Sequence, residues 1–166
     1  MLTRGILLIV LLGLGACGEP PPTARPDDTA ASTTPELEVR QVLDSYYAAL
    51  SARDWPRFED HFWAGATMTT IWTPEGETAD RVVFFAIPDF VAQAPEGPGS
   101  REIFEERLVL ADVMVAGVLA QAWARYHARF GDPGDISEWE GMDAFTFLKH
   151  DGRWRITSLA YAPEVD

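Results

Sequence analysis

Few side chains in this sequence are placed to do covalent or acid–base chemistry. The sequence has no Gly-x-Ser-x-Gly motif, and its only cysteine, Cys17, lies near the start. No serine or threonine stands beside a histidine, so nucleophilic catalysis is poorly supported. The sequence has three histidines, His61, His127 and His150, and they are far apart along the chain. His127 is the acid–base candidate among them because arginines flank it on the same strand face, and its alternative is a solvated or interface histidine.

The carboxylates form one loop cluster and one isolated candidate. The segment GDPGDISEWE could offer several oxygens to calcium, but its spacing is not that of an EF-hand loop. We therefore predict a solvated acidic loop and no metal site at its acids, Asp132, Asp135, Glu138 and Glu140. Asp143 becomes the best general-base candidate if its strand turns it towards the core.

The first seventeen residues predict export and a lipid anchor. Arg4 precedes an apolar run over residues 6–14, which is too short to span a bilayer as a helix. The segment Leu14-Gly15-Ala16-Cys17 resembles the lipobox of bacterial lipoproteins, in which the cysteine is lipidated and becomes the new N-terminus. The alternative is an ordinary signal peptide cleaved after Ala16, with an incidental cysteine.

This pattern divides the chain into three parts. Residues 1–16 are the predicted signal peptide, residues 17–34 carry the lipidated cysteine and a disordered tether, and residues 35–166 form one domain. The tether is rich in Pro, Ala, Thr and Asp and has no hydrophobic period. We expect an exported domain that is lipid-anchored to the cell envelope. In a cell with two membranes, we expect it at the periplasmic face of the outer membrane.

The charge of the chain excludes one class of partner. The net charge is -13, and an acidic domain repels phosphate backbones, so nucleic acid is not an expected partner. No apolar run after Cys17 approaches the ~18 residues of a membrane span. Membrane attachment must therefore come from the lipid.

Hydrophobic periodicity predicts an α+β domain. The segment Thr34-Pro35-Glu36 offers an N-cap, a proline at the first helical position and an acid in the first turn, and an apolar stripe follows. Asp54 is the N-cap candidate of a second, short helix. From residue 67 onward, β-rich runs separated by turns predict a curved antiparallel sheet. The alternating alanines of residues 120–128 predict a strand face against which a helix packs closely.

The last hairpin, around Asp151-Gly152, can be registered in two ways. A three-residue turn separates charged from apolar side chains better than a two-residue turn does, and we prefer it. It places Ala144, Thr146 and Leu148 on the inner face. The opposite face then carries Phe145, Phe147, Leu159 and Tyr161. Because this face is too apolar to be exposed to water, we predict that it forms a homodimer interface.

The order of these elements resembles the nuclear transport factor two-like superfamily. The resemblance rests on Tyr46-Tyr-Ala-Ala-Leu-Ser-Ala-Arg-Asp54, the short helix to Phe62, Ala66-Thr67 entering a strand, and the closing residues 151–156. It covers residues 36–162. It implies a cone-shaped curved sheet wrapped around N-terminal helices, in a superfamily that includes ketosteroid isomerases and polyketide cyclases of the SnoaL type.

The isomerase branch of that superfamily implies three functional positions. Its oxyanion-donating tyrosine falls on Tyr46, but its proton-shuttling aspartate falls on Thr70 and its protonated aspartate on Ala144. A hydroxyl cannot shuttle the proton of a carbon acid near neutral pH, so the isomerase chemistry of that branch is not expected. Tyr46 has the alternative role of a core tyrosine.

The fold implies a pocket between the concave sheet and the helices. We expect no cofactor there, and either a cone filled by aromatic side chains or a ligand site lined by Tyr46, Trp63, Thr70, Trp72, Phe84, Met142, Thr146 and Trp154. The leading hypothesis is a domain that binds a small apolar ligand or a protein partner without catalysis. The alternative is a lyase, isomerase or hydrolase that uses Asp143 or His127 with Tyr46. A titratable group inside the cavity would favour the enzyme.

Overall fold

A computed structural model of the chain describes residues 33–73 and 78–163, and the predicted signal peptide, Cys17 and most of the tether lie outside these residues. No helix among the described residues is long and apolar enough to cross a membrane. The described elements in chain order are α1 (Pro35–Ser51), α2 (Trp55–Asp60), β1 (Phe62–Trp72), β2 (Arg81–Ala86), α3 (Ile87–Gln93), β3 (Ile103–Ala116), β4 (Leu119–Asp132), β5 (Asp135–His150) and β6 (Arg153–Pro163).

Both predicted helix starts are confirmed. The Thr34 hydroxyl accepts a hydrogen bond from the backbone N–H of Leu37 at 3.3 Å, and Pro35 occupies the first turn of α1. The Asp54 carboxylate accepts one from the N–H of Arg57 at 3.2 Å at the start of α2. These local interactions begin the helices where the apolar stripe of α1 can face the sheet.

The six strands form one sheet in the order β2-β1-β6-β5-β4-β3. Every neighbouring pair is antiparallel except β1 with β6, which is parallel. The alanines predicted to share one face of β4 are buried, since Ala120, Ala122, Ala124 and Ala128 are each at most 1% exposed. Helix α1 makes its close approach to the neighbouring strand β3, where Arg40 donates to the backbone carbonyl of Ala111 at 2.7 Å.

The predicted register of the last hairpin is wrong. His150 pairs with Arg153 and Lys149 with Trp154, so the turn contains only Asp151 and Gly152, both with positive φ. Such a turn matches the right-handed twist of the strands it joins. Charge separation does not decide the register, because Lys149 points towards α1, where Glu38 accepts hydrogen bonds from its ammonium group at 2.5 Å and from the Trp154 indole at 2.9 Å.

This register reverses the predicted faces of β5. Phe145 and Phe147 are at most 2% exposed, and the ring centroid of Phe145 lies 5.3 Å from that of Tyr46 on α1. The residues predicted for a dimer interface, Phe145, Phe147, Leu159 and Tyr161, therefore lie on the helix-facing side of the sheet. Ala144, Thr146 and Leu148, predicted for the inner face, lie on the outer one. Asp143 consequently turns inward, which is the condition under which it was a general-base candidate.

Candidate active site

A cavity of about 190 Å³ lies between the helices and the concave face of the sheet. Its apolar wall includes Phe90 from α3, Pro98 from the following loop and Phe104 from β3. An engineered cavity of ~150 Å³ in another protein binds benzene, so this space suits a molecule about the size of one substituted ring. Five polar side chains also line it, namely Tyr46, Glu106, Tyr126, Asp143 and Tyr161.

Asp143 is held at the wall of this cavity by a tyrosine of α1. Its side chain is 3% exposed, and the Tyr47 hydroxyl donates a hydrogen bond to its Oδ2 at 2.6 Å. Burial disfavours the carboxylate and raises the pKa of Asp143 to about 7, although the hydrogen bond from Tyr47 acts in the opposite direction. Asp143 can therefore gain or lose a proton near neutral pH.

Glu106 is the second carboxyl group of the cavity. Loss of solvation at the cavity wall and the negative charge of Asp143 raise the pKa of Glu106 to about 8, although the residue keeps intermediate exposure to solvent. Its backbone is fixed to the end of α1, because the Ser51 hydroxyl accepts from its N–H at 2.8 Å and donates to its carbonyl at 2.7 Å. Helix α1 thus positions both acids, one through Tyr47 and the other through Ser51.

The two carboxyl groups share one cavity, and desolvation raises the pKa of each towards neutrality. The negative charge of Asp143 also disfavours ionisation of Glu106, so loss of the first proton leaves the pair with a single negative charge. A singly ionised pair of carboxyl groups supplies a general base and a general acid.

The tyrosines around these acids remain neutral hydrogen-bond donors. Burial raises the pKa of Tyr46 well above its usual range, and the pKa of Tyr161 rises to about 12 for the same reason. The Tyr126 ring lies across Gly141, so a Cβ atom at that position would overlap the ring. Gly141 therefore lets Tyr126 reach the cavity from β4.

Comparison with known proteins gives the family. The sequence model of the SnoaL-like domain matches residues 39–162. The chain belongs to the SnoaL-like domain family. No curated protein matches the chain. The resemblance to the nuclear transport factor two-like superfamily, and the α+β cone that it implies, are confirmed.

Solved structures share the fold of this SnoaL-like domain. An NTF2-like protein of unknown function from Shewanella baltica has a TM-score of 0.55 at 19% identity, with 78% of this chain and 93% of that chain covered. A putative dehydratase of the NTF2-like family from Streptomyces avermitilis has a TM-score of 0.61 at 14% identity, with 79% and 96% covered. The beta subunit of a benzoate 1,2-dioxygenase from Burkholderia mallei has a TM-score of 0.60 at 12% identity, with 76% and 88% covered.

Of the residues predicted to bind a ligand, Tyr46 lines the cavity of the SnoaL-like domain. Trp154 lies at another opening beside Glu38. The Trp63 indole donates to the backbone carbonyl of Leu148 at 3.0 Å. Phe84 is 71% exposed on the outer face. The structure does not bring these three aromatic side chains to the carboxyl groups.

None of the other predicted ligand residues whose side chains the structure describes lines the cavity. Met142 lines an outer groove, and Thr146 lies on the same face, where its backbone carbonyl accepts a hydrogen bond from Thr157. Thr70 reaches the edge of that groove, but it pairs with Tyr161, and its hydroxyl donates to the Tyr161 backbone carbonyl at 2.8 Å. The side chain of Trp72 is outside the described part of the chain. Ala144, the position that the isomerase resemblance implied for an acid, also faces outward, and the adjacent Asp143 takes the inward place.

His127 lies on the polar outer face of β4, and the acidic loop follows that strand. His127 lies 3.5 Å from the Glu138 carboxylate, away from the cavity. Glu138 also accepts from Arg129 at 3.0 Å, and Asp132 pairs with Arg101 at 3.0 Å. Among residues 33–73 and 78–163, no three acidic, histidine or cysteine side chains are grouped to hold a metal ion.

Glu106 is the carboxyl group of the cavity that the sequence analysis did not select. Two glutamates stand side by side in IFEERLVLADV, so strand alternation requires one of them to face inward. An irregularity between Leu108 and Leu110 changes the phase of the strand and hides the pattern that would have selected Glu106.

Proposed function

We propose that this SnoaL-like domain is an enzyme that moves a proton on a small apolar substrate, as a lyase or an isomerase. In this proposal Asp143 is the base, Glu106 is the acid, and the Tyr46 hydroxyl is a further hydrogen-bond donor. The observation that carries the proposal is that two carboxyl groups, both with raised pKa values, line one largely apolar cavity. A titratable group inside the cavity is the feature that separates the enzyme hypothesis from the non-catalytic one.

The cavity groups suit a substrate with a weakly acidic C–H bond beside a carbonyl or a similar acceptor. The Asp143 carboxylate takes the proton from carbon, and the acceptor oxygen gains negative charge. Glu106 or Tyr46 donates a hydrogen bond to that oxygen, which lowers the barrier in a largely apolar site. Return of the proton to another carbon gives an isomerase, and loss of a leaving group gives a lyase.

One structural relative supports the elimination branch. The Streptomyces avermitilis protein is described as a putative dehydratase, and dehydration is an elimination that needs a base and an acid. The cavity volume of about 190 Å³ favours a substrate much smaller than a steroid.

The test is a generic proton-transfer reaction. 5-Nitrobenzisoxazole loses a ring proton to a base, its N–O bond breaks, and the coloured phenolate product reports turnover. We expect kcat/KM to rise with pH through about 7, and Asp143→Asn to lower it by about 10²-fold or more. Glu105→Gln, on the solvent side of the same strand, is the matched control and should keep the wild-type rate. Equal rates for wild type and Asp143→Asn would contradict the proposed base.

We propose that the outer sheet face pairs with a second copy of the chain. A groove of about 390 Å³ crosses this face, and its apolar side chains include Ile71, Val82, Trp123 and Met142. Trp123 is 61% exposed and Ile71 57%, which makes a continuous apolar surface that a homodimer would cover.

We propose that Cys17 carries a lipid that holds the domain at the cell envelope, on the periplasmic face of the outer membrane in a cell with two membranes. The support is the sequence of residues 1–17. The chain expressed with its leader should partition into the detergent phase, and Cys17→Ser should move it to the aqueous phase. Aqueous partition of both proteins would contradict the anchor.

A further inference from the structure

A second cavity, of about 550 Å³, opens between α1, α2 and the hairpin that joins β5 to β6. Its wall contains Ser45 from α1 together with Arg57 and His61 from the end of α2. None of these three residues lines the first cavity, which contains Asp143 and Glu106. The proposed proton-transfer chemistry therefore leaves this group of side chains without a role.

Ser45 and His61 are joined in a directed hydrogen-bond chain. His61 Nε2 lies 2.9 Å from the Ser45 hydroxyl oxygen, and His61 Nδ1 lies 2.7 Å from the backbone carbonyl oxygen of Arg57. A carbonyl oxygen can only accept, so Nδ1 must carry the proton of the neutral ring. Nε2 is then the free acceptor, and it faces the hydroxyl group that could give it a proton.

The surroundings of His61 favour the neutral ring that a base requires. Burial lowers the pKa of His61 from its ordinary value and the Arg57 charge acts in the same direction, while the backbone carbonyls of Arg57 and Phe58 and the Asp60 charge act against them. The Tyr46 ring packs edge-on against the imidazole, with centroids 6.2 Å apart. At neutral pH the unprotonated Nε2 is therefore the main form.

A positive charge lies beside the same hydroxyl group. Arg57 Nη2 donates a hydrogen bond to the Ser45 hydroxyl oxygen at 3.1 Å. A guanidinium at this distance stabilises negative charge that develops on or next to that oxygen. Arg57 thus contributes twice, because its backbone carbonyl orients the base and its side chain favours the ionised nucleophile.

We propose that Ser45 and His61 form a nucleophilic dyad that cleaves small carboxylic esters in this second cavity. The Ser45 oxygen forms a bond to the ester carbonyl carbon, and His61 Nε2 takes the hydroxyl proton. The ester C–O bond breaks, and the proton passes from His61 to the departing alcohol. Water, activated by the same nitrogen, then releases the acid and restores Ser45.

The dyad differs from a full triad in one respect that sets its expected rate. The partner that orients His61 is a neutral carbonyl, which stabilises the imidazolium less than a carboxylate would. We therefore expect rapid modification by a reactive acylating or phosphorylating reagent, and slow turnover of ordinary esters.

Diisopropyl fluorophosphate tests the dyad in the full chain. The Ser45 oxygen bonds to phosphorus, fluoride leaves, and the proton passes to His61, so one adduct should appear by intact mass and map to Ser45. We expect Ser45→Ala to remove the adduct and His61→Gln to slow its formation by about 10²-fold or more. Ser137→Ala, a serine on the opposite β4–β5 end of the sheet, is the matched control and should label at the wild-type rate.

Three results would overturn the proposal. They are no adduct on the folded wild-type protein, an adduct on another residue, or an equal labelling rate in His61→Gln. A purely structural link between α1 and α2 predicts no covalent adduct at all. Asp143→Asn should label at the wild-type rate, so failure of the dyad and failure of the proposed proton-transfer site are separately visible.

Discussion

Asp143→Asn is expected to raise the free energy of unfolding at pH 8 and to leave it almost unchanged at pH 3. Asparagine is close to isosteric with aspartate, and its carbonyl oxygen can still accept the hydrogen bond that Tyr47 donates to Asp143. The substitution therefore removes the charge and keeps the contact. What remains is the difference in ionisation between the folded and unfolded wild-type chains.

The sign follows from the raised pKa of Asp143. In the unfolded chain its pKa is near 3.8, and in the folded protein burial raises it to about 7. Stability from this group is complete below the unfolded value, declines as pH rises between the two values, and is fully lost above about 7. A pKa shift of that size corresponds to about 4 kcal/mol. At pH 8 the free energy of unfolding of the wild-type protein should therefore be lower than that of the variant by up to about 4 kcal/mol.

Urea unfolding of both proteins at pH 3, 5 and 8 measures the effect. The wild-type pH curve alone would not isolate it, because the chain has 26 acidic residues that also titrate. Asp112→Asn, on the exposed side of β3, is the matched control and should change stability by less than about 0.5 kcal/mol at each pH. A variant that is less stable than wild type at pH 8 would show that Asp143 is ionised and well solvated in the folded protein.

Trp123→Glu is expected to weaken self-association by about 10³-fold. The indole is 61% exposed in the isolated chain and lines the outer groove, so a second copy on this face would bury it. A carboxylate at the same place would lose water without gaining a partner, which costs several kcal/mol. Each ~1.4 kcal/mol changes the dissociation constant tenfold.

Sedimentation velocity over a range of concentrations checks this result. Leu37→Glu is the matched control, because Leu37 is 47% exposed on α1 and the same charge there should leave the dimer intact. A wild-type chain that stays monomeric at every concentration would contradict the dimer. A Trp123→Glu protein that dimerises as wild type does would place the contact on another surface.

The features that the sequence predicted well depend on residues close to each other along the chain. The caps at Thr34 and Asp54 each involve a partner three residues away. The alanine face of β4 needs only the two-residue period of a strand. In such cases the interactions between near neighbours in the sequence are the same ones that the folded structure contains, so the local pattern is sufficient for the prediction.

The hairpin register failed for the opposite reason. Its outcome depends on Lys149 meeting Glu38, which is 111 residues earlier in the sequence. A local pattern can rank the two turns by charge separation, but it cannot supply the half-buried carboxylate on α1 that pairs with Lys149. The predicted dimer residues were wrong as a consequence, because one shift in register exchanges the faces of the strand.

The candidate site likewise combines residues that the sequence indicated with one that it did not. Tyr46 came from the resemblance of the α1 segment, and Asp143 depended on the strand face that the register decides. Glu106 is brought to the site by an irregular strand and by Ser51, which is 55 residues away. Two carboxyl groups 37 positions apart become a pair only when the sheet curves around α1, and no spacing in the sequence indicates that.

The position of β6 has a consequence for how the chain folds. The last strand lies in the interior of the sheet between β1 and β5, and its pairing with β1 joins Met68 to Leu159. The sheet cannot be completed until β6 is available to pair with β1, so folding of the domain includes a slow, long-range step. A chain that lacks β6 therefore leaves β1 and β5 without the neighbour that they share in the sheet.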